Sequence, residues 1–223
     1  MARTAKSQLS RFGFRPGAGG AHTARTIMLA ELTALLASVP GPEAGRAEYA
    51  RAIVDENCLG KRSGKTRSLS LKHLVELYSL DPGELVFRAL LYYWERDPEG
   101  RPLLALLCAV TRDSLLRESA AKILKNPEGA LFTTADMEAF LEHKHPGRFS
   151  AATLTSTAQN LNASWVKSGH LRGVMRKLRV RPKATAGAAA GAAAAVGAAA
   201  GAAAVGASSL PARTAATSAG CTS

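Results

Sequence analysis

The chain has 223 residues, with 29 Lys or Arg against 17 Asp or Glu and a net charge of +12. That length allows one domain or two small ones. Its three cysteines, Cys58, Cys108 and Cys221, form no CxxC pair, which argues against a zinc ribbon or a disulfide framework and fits a reducing, cytoplasmic compartment.

Residues 1–20 are basic, rich in Ser and Gly and free of acids, the composition of a disordered arm. They lack the apolar middle and cleavage site of a signal peptide. The spacing of Met28, Leu32, Leu35 and Val39 predicts a helix over 23–38, broken by Pro40, Gly41 and Pro42. A second helix, over 46–59, turns Tyr49, Ile53 and Val54 inward and stops at Gly60. The stretch 60–66, GKRSGKT, resembles a phosphate loop but has three residues between its glycines where that motif needs four. A helical pattern precedes it, and the motif requires a buried strand there. It reads better as a basic turn, with Ser63 or Ser70 starting the next helix. Lys61, Arg62, Lys65 and Arg67 then offer a second set of phosphate contacts, a solvated loop being the plainer alternative.

A third helix ends near Tyr78, and Asp81-Pro82-Gly83-Glu84 is a strong start for a fourth. The fourth is apolar almost all round, through Leu85, Phe87, Leu90, Leu91, Tyr92 and Trp94, which predicts a central, buried position. A short apolar fifth helix covers 103–110, the longest strongly apolar run and too short to span a bilayer. Asp113 caps a sixth, with Leu116, Ala120 and Ile123 inward. Thr133 and Asp136 open a seventh. No alternating strand pattern precedes residue 170.

Residues 150–167 form the best-marked helix. Ser150 is its N-cap, Phe149 and Leu154 suit a hydrophobic staple, and Leu154, Ala158, Leu161 and Trp165 make one apolar stripe. Ser156, Gln159, Asn160 and Lys167 lie opposite, a face with hydrogen-bonding groups and no acid. Gly169 ends the helix. The segment that follows alternates apolar and basic residues through Arg172, Arg176, Lys177, Arg179, Arg181 and Lys183, as a basic hairpin would. Residues 143–223 contain ten Lys or Arg and no acid, so nearly all the excess charge lies in the last third. Such segregation suits a polyanion. Amides and hydroxyls can read base edges while guanidinium groups hold phosphates. A merely solvated face and a common basic hairpin remain the plain alternative.

The predicted class is all-α: a basic arm (1–20), a helical bundle (21–127), a winged helix-turn-helix-like unit (128–183) and a low-complexity tail (184–223). The turn before residue 150 is longer than in a strict helix-turn-helix. The tail, almost wholly Ala, Gly and Val up to residue 206, offers little to bury and reads as disordered or weakly helical. Such a run is also what GC-rich coding DNA yields out of frame. No nucleophile–base set or paired carboxylates stand out, and His143 and His145 lack a third ligand nearby. No enzyme, metal or cofactor is expected.

Two stretches resemble the BrxA family of bacteriophage-exclusion defence systems. They are residues 52–67, AIVDENCLGKRSGKTR, and residues 149–171, FSAATLTSTAQNLNASWVKSGHL. The likeness extends over about 22–183. It implies a small helical, non-catalytic DNA-binding protein with other defence proteins as partners, and it points to residues 61–67 and 172–183. The Ala/Gly tail departs from that pattern, since the family continues as folded helices. Double-stranded DNA binding is therefore the leading expectation. RNA recognition and a helical adaptor for an acidic protein stand as alternatives, the former weakened by the lack of an aromatic platform.

Overall fold

The computed structural model describes residues 9–17, 20–39, 41 and 43–207, with side chains up to residue 197. Within them the helices are α1 (Leu29–Ser38), α2 (Arg46–Val54), α3 (Gly64–Tyr78), α4 (Leu85–Arg96), α5 (Arg101–Arg112), α6 (Ser114–Lys125), α7 (Thr134–Lys144), α8 (Ala151–Lys167) and α9 (Ala186–Ala207). The short strands are β1 (Leu131–Phe132), β2 (Leu171–Arg172) and β3 (Lys177–Arg179). The class is mostly helical, and no described helix is long and apolar enough to cross a membrane.

Capping chemistry sets several boundaries. Ser63, Asp113 and Ser150 each accept a first-turn amide, from Thr66, Leu116 and Thr153 respectively. Thr133 and Asp136 form a reciprocal box: Asp136 N donates to Thr133 Oγ1 at 3.2 Å and Thr133 N donates to Asp136 Oδ2 at 2.8 Å. Two expected starts differ. Asp81 spends its carboxylate on the amide of Gly83, so α4 begins only at Leu85. The first helix begins at Leu29, because Ala21–Thr23 is a separate 3-10 turn and Met28 takes a left-handed conformation.

One apolar core runs through the chain. Ile27, Leu35, Tyr49, Leu77, Phe87 and Leu115 are fully buried in the first part, and Phe132, Met137, Leu161 and Trp165 continue the same cluster. The predicted stripe of α8 is thus its core face, with Leu154 only half-buried.

The last part has the order α6, β1, α7, α8, β2, β3, and the sheet order is β1-β3-β2, antiparallel throughout. The register aligns Leu131 with Leu178 and Leu178 with Arg172. These three share the outer face, while Phe132 and Leu171 are buried on the inner one. The strand β1, two residues long between a turn and a cap, is too short to show alternation in the sequence.

One expectation of disorder is corrected in part. Residues 12–15 of the basic arm are laid against the bundle: Val86 N donates to Phe12 O at 3.1 Å and Arg15 N to Thr111 O at 3.0 Å. The buried Arg112 guanidinium also donates to Gly13 O and pairs with Glu84 at 2.8 Å. The remainder of the arm up to residue 8 lies outside the described residues.

The Ala/Gly run takes the helical one of the two forms expected for it, but it packs where it was expected to bury little. It forms α9, packed on α4 and α5. Close approach substitutes here for large side chains. A Cβ on Gly187 would lie 2.6 Å from Asp97 Cβ, and one on Gly191 would lie 2.9 Å from Leu104 Cδ2. Asp97, in the α4–α5 junction, accepts from Thr185 Oγ1 and from Ala188 N, so it helps cap α9 from outside. The hydrogen bond from Thr185 and the amides of Gly100, Ala188 and Gly187 hold the Asp97 carboxyl below its ordinary range. The all-round apolar pattern of α4 now has its cause: Leu85 and Ala89 face Gly191, Ala194 and Ala195. Tyr92 is the exception, 52% exposed rather than buried. Residues 208–223 of the predicted tail lie outside the described residues.

Candidate nucleic-acid interface

Helix α8 carries two kinds of surface along its length. The segment 21–28 straps its C-terminal half. Asn160 Nδ2 donates to His22 O at 3.1 Å, Lys167 Nζ donates to Thr26 Oγ1 at 2.7 Å, and Ile27 N donates to Ser164 Oγ at 3.0 Å. Ala151, Ala152, Thr155 and Gln159, on its N-terminal half, are exposed. Ser156 is half-buried and its hydroxyl donates to Thr153 O at 3.1 Å. Of the three polar positions expected to read bases, Gln159 alone is exposed, and its side chain makes no hydrogen bond among the described residues. Asn160 is a structural clamp, because the strap crosses the face that periodicity alone leaves open.

Under the strap lies a buried polar chain. His22 Nδ1 is 2.8 Å from Asp113 Oδ2, and His22 Nε2 is 2.9 Å from Ser164 Oγ. All three residues are at most 1% exposed. Burial alone would raise the Asp113 carboxyl, but the His22 ring and the amides of Leu116 and His22 outweigh it and hold the group below its ordinary range. The connectivity is that of a nucleophile, a base and its orienting acid. Its hydrogen bonds are also structural, since Ser164 Oγ takes the Ile27 amide and donates to Asn160 O at 2.8 Å. The three residues tie the strap, the start of α6 and the C-terminal half of α8 into one unit, and sequence spacing gave no sign of it.

The basic hairpin divides in the same way. Arg172 and Arg176 are exposed and make no hydrogen bond or ion pair among the described residues. Lys177 Nζ donates to Val174 O at 2.6 Å. Arg179 turns inward instead: its guanidinium donates to Ile123 O at 3.2 Å and to His170 O at 3.3 Å, which removes it from the phosphate contacts. Arg181 and Lys183 form exposed pairs with Glu128 at 3.8 Å and Glu99 at 2.6 Å. Such exposed pairs are weak enough for a phosphate to exchange in. His170, just before β2, contacts Ser168 Oγ at 2.9 Å. Burial, then the Arg179 charge, push its pKa down to about 4.

The turn over 61–67 is only half available. Lys61 pairs with Glu31 at 3.1 Å, and Arg67 donates to Val54 O at 2.6 Å. Arg62 and Lys65 are exposed and unpartnered among the described residues. Nothing in the geometry joins this turn to the hairpin.

Sequence reasoning missed Lys144 and Arg148. Both are exposed, on either side of the turn that leads into α8. Two acids stand by this turn and both are engaged: Glu142 accepts from the amide of Gly147 at 2.9 Å, and Glu118 Oε2 lies 2.7 Å from His145 Nε2. The signal that could have found them is two cations flanking His145-Pro146-Gly147, directly before a capped helix whose N-terminal dipole already favours anions. The exposed side chains around the open half of α8 and on the hairpin that make no hydrogen bond or ion pair among the described residues include Lys144, Arg148, Thr155, Gln159, Arg172 and Arg176. Helix α8 packs on both α7 and β2, which fixes the frame carrying them. No protein-family model matches the chain, and no curated protein matches it in sequence.

Proposed function

We propose that this protein binds double-stranded DNA without catalysing a reaction, through a winged helix-turn-helix formed by α6, β1, α7, α8 and the β2–β3 hairpin. In this reading α8 enters the major groove by its N-terminal half and the hairpin is the wing. The observation that carries it is the sheet order β1-β3-β2 beneath a helix whose open face bears Thr155 and Gln159. Exposed cations flank that face on both sides in sequence: Lys144 and Arg148, the latter with its guanidinium over the Phe149 ring at 5.1 Å, before it, and Arg172 and Arg176 after it. Gln159 is the candidate for base contact, and the arginines for phosphate contact. The setting we propose is an accessory role in bacteriophage-exclusion defence, supported by the resemblance of residues 52–67 and 149–171 to the BrxA family.

A salt-titrated shift assay with duplex DNA, single-stranded RNA and an acidic protein polymer tests the reading. Duplex preference is the expected outcome. Preference for the RNA would favour the RNA-recognition alternative, and preference for the acidic polymer the adaptor.

A further inference from the structure

We propose that the tip of the β2–β3 hairpin is an apolar wedge that enters the minor groove and opens a base step, so that binding bends the duplex. The proposal rests on the duplex-binding reading above. Val174 and Met175 are 84% and 86% exposed, well above the next large apolar side chain among the described residues, Val196 at 68%. Both stand at the end of the hairpin, where water must hydrate two side chains that a fold alone has no reason to display.

The tip is held in shape. Gly173 has φ +119°, and a Cβ there would lie 2.2 Å from Arg176 O, so the turn closes only with glycine. Lys177 Nζ reaches back to Val174 O at 2.6 Å. Immediately beside the apolar pair stand Arg172 and Arg176, both unpartnered among the described residues, and the hairpin carries no acid. An apolar point between two free guanidinium groups complements a surface that is anionic on its walls and apolar between them. The minor groove is such a surface: phosphates line it, arginine is favoured within it, and stacked bases part to admit aliphatic side chains.

The test uses the full chain and a duplex of about 30 base pairs, a length whose bending is readable between end-attached fluorophores. A central 2-aminopurine reports unstacking. Wild type should raise both the energy transfer and the 2-aminopurine fluorescence. The Val174→Ser/Met175→Ser variant should bind with a Kd about tenfold higher, keep the salt slope of wild type, and give neither signal. Neither side chain belongs to the core, so the variant should melt at the wild-type temperature.

A variant that bends the duplex as wild type does would overturn the wedge. So would a wild type that binds the duplex with neither signal, an outcome that leaves the duplex-binding reading standing. A wild type that binds no duplex removes both. Binding to phosphatidylserine vesicles that depends on Val174 and Met175, with no bending of DNA, would assign the tip to a membrane surface and contradict the wedge.

Discussion

The ring of His22 lies 2.8 Å from Asp113 Oδ2, linking residues 91 positions apart in a fully buried site. The same carboxylate group caps α6 through Leu116 N at 3.0 Å. Through Ser164 the contact also reaches α8, the helix proposed to meet DNA. One side chain thus supports a helix start, a chain crossing and the posture of the candidate interface.

Asp113→Ala should therefore destabilise the protein by about 3–5 kcal/mol, as expected when one partner of a buried pair is removed. Urea denaturation measures it. The pH dependence follows from the depressed carboxyl. Its stabilising effect is present above the unfolded carboxylate value of about 3.9 and is lost as pH falls through the lower folded value.

His170 predicts a second pH response, at milder acidity. Its folded pKa is about 4, against an ordinary value of 6.5. Between those limits the unfolded chain binds more protons, so stability falls as pH is lowered. The loss should be about 2 kcal/mol from pH 7 to pH 4, discounted for solvent screening. His170→Gln should flatten that part of the curve while leaving the Asp113 response at lower pH.

Ending the chain after Lys183 should lower Tm by more than about 5 °C. Helix α9 covers Leu85, Leu104 and Leu107, and its removal returns that apolar surface to water. Differential scanning calorimetry of the two chains measures the change. An unchanged Tm would show that the helix contributes nothing to the fold.

Asn160 and Gln159 should separate. Asn160→Ala removes a donor to the strap and should cost stability of about 1 kcal/mol. Gln159→Ala should leave stability unchanged and erode preference between DNA sites by about 1–3 kcal/mol if its amide bonds a base bidentately. Melting curves and competition binding on one selected site and one random duplex distinguish them.

Much of this architecture was legible. The capping groups of Ser150, Asp113 and Thr133 are local, because a side chain reaches only its own first turn, and they mark α8, α6 and α7 correctly. The apolar stripe of α8 follows from helical spacing. What stayed hidden is non-local. Nothing in the identity of His22 announces a partner 91 residues away, and Asn160 looks solvated until the strap is laid across it. The Ala/Gly run looked unable to pack because bulk was taken as the requirement, whereas Gly187 and Gly191 pack by letting backbones approach. Its partner had left a trace in α4, whose apolar residues run almost all round the helix and include Leu85 and Ala89, which the Ala/Gly helix meets. Within the hairpin, Arg172 and Arg179 look alike in sequence. Their register decides which faces water, and β1, the strand that completes the sheet around β3, is too short to predict.

The central claim is that free cations of one unit meet a DNA backbone. The most direct measurement is the slope of log affinity against log salt for duplex binding by wild type and by the Arg172→Ala/Arg176→Ala variant. Each lost phosphate contact should reduce the slope by about one unit, so the variant's slope should be shallower by about two, with binding weakened alike on all sequences. A variant with the slope and affinity of wild type would contradict the account.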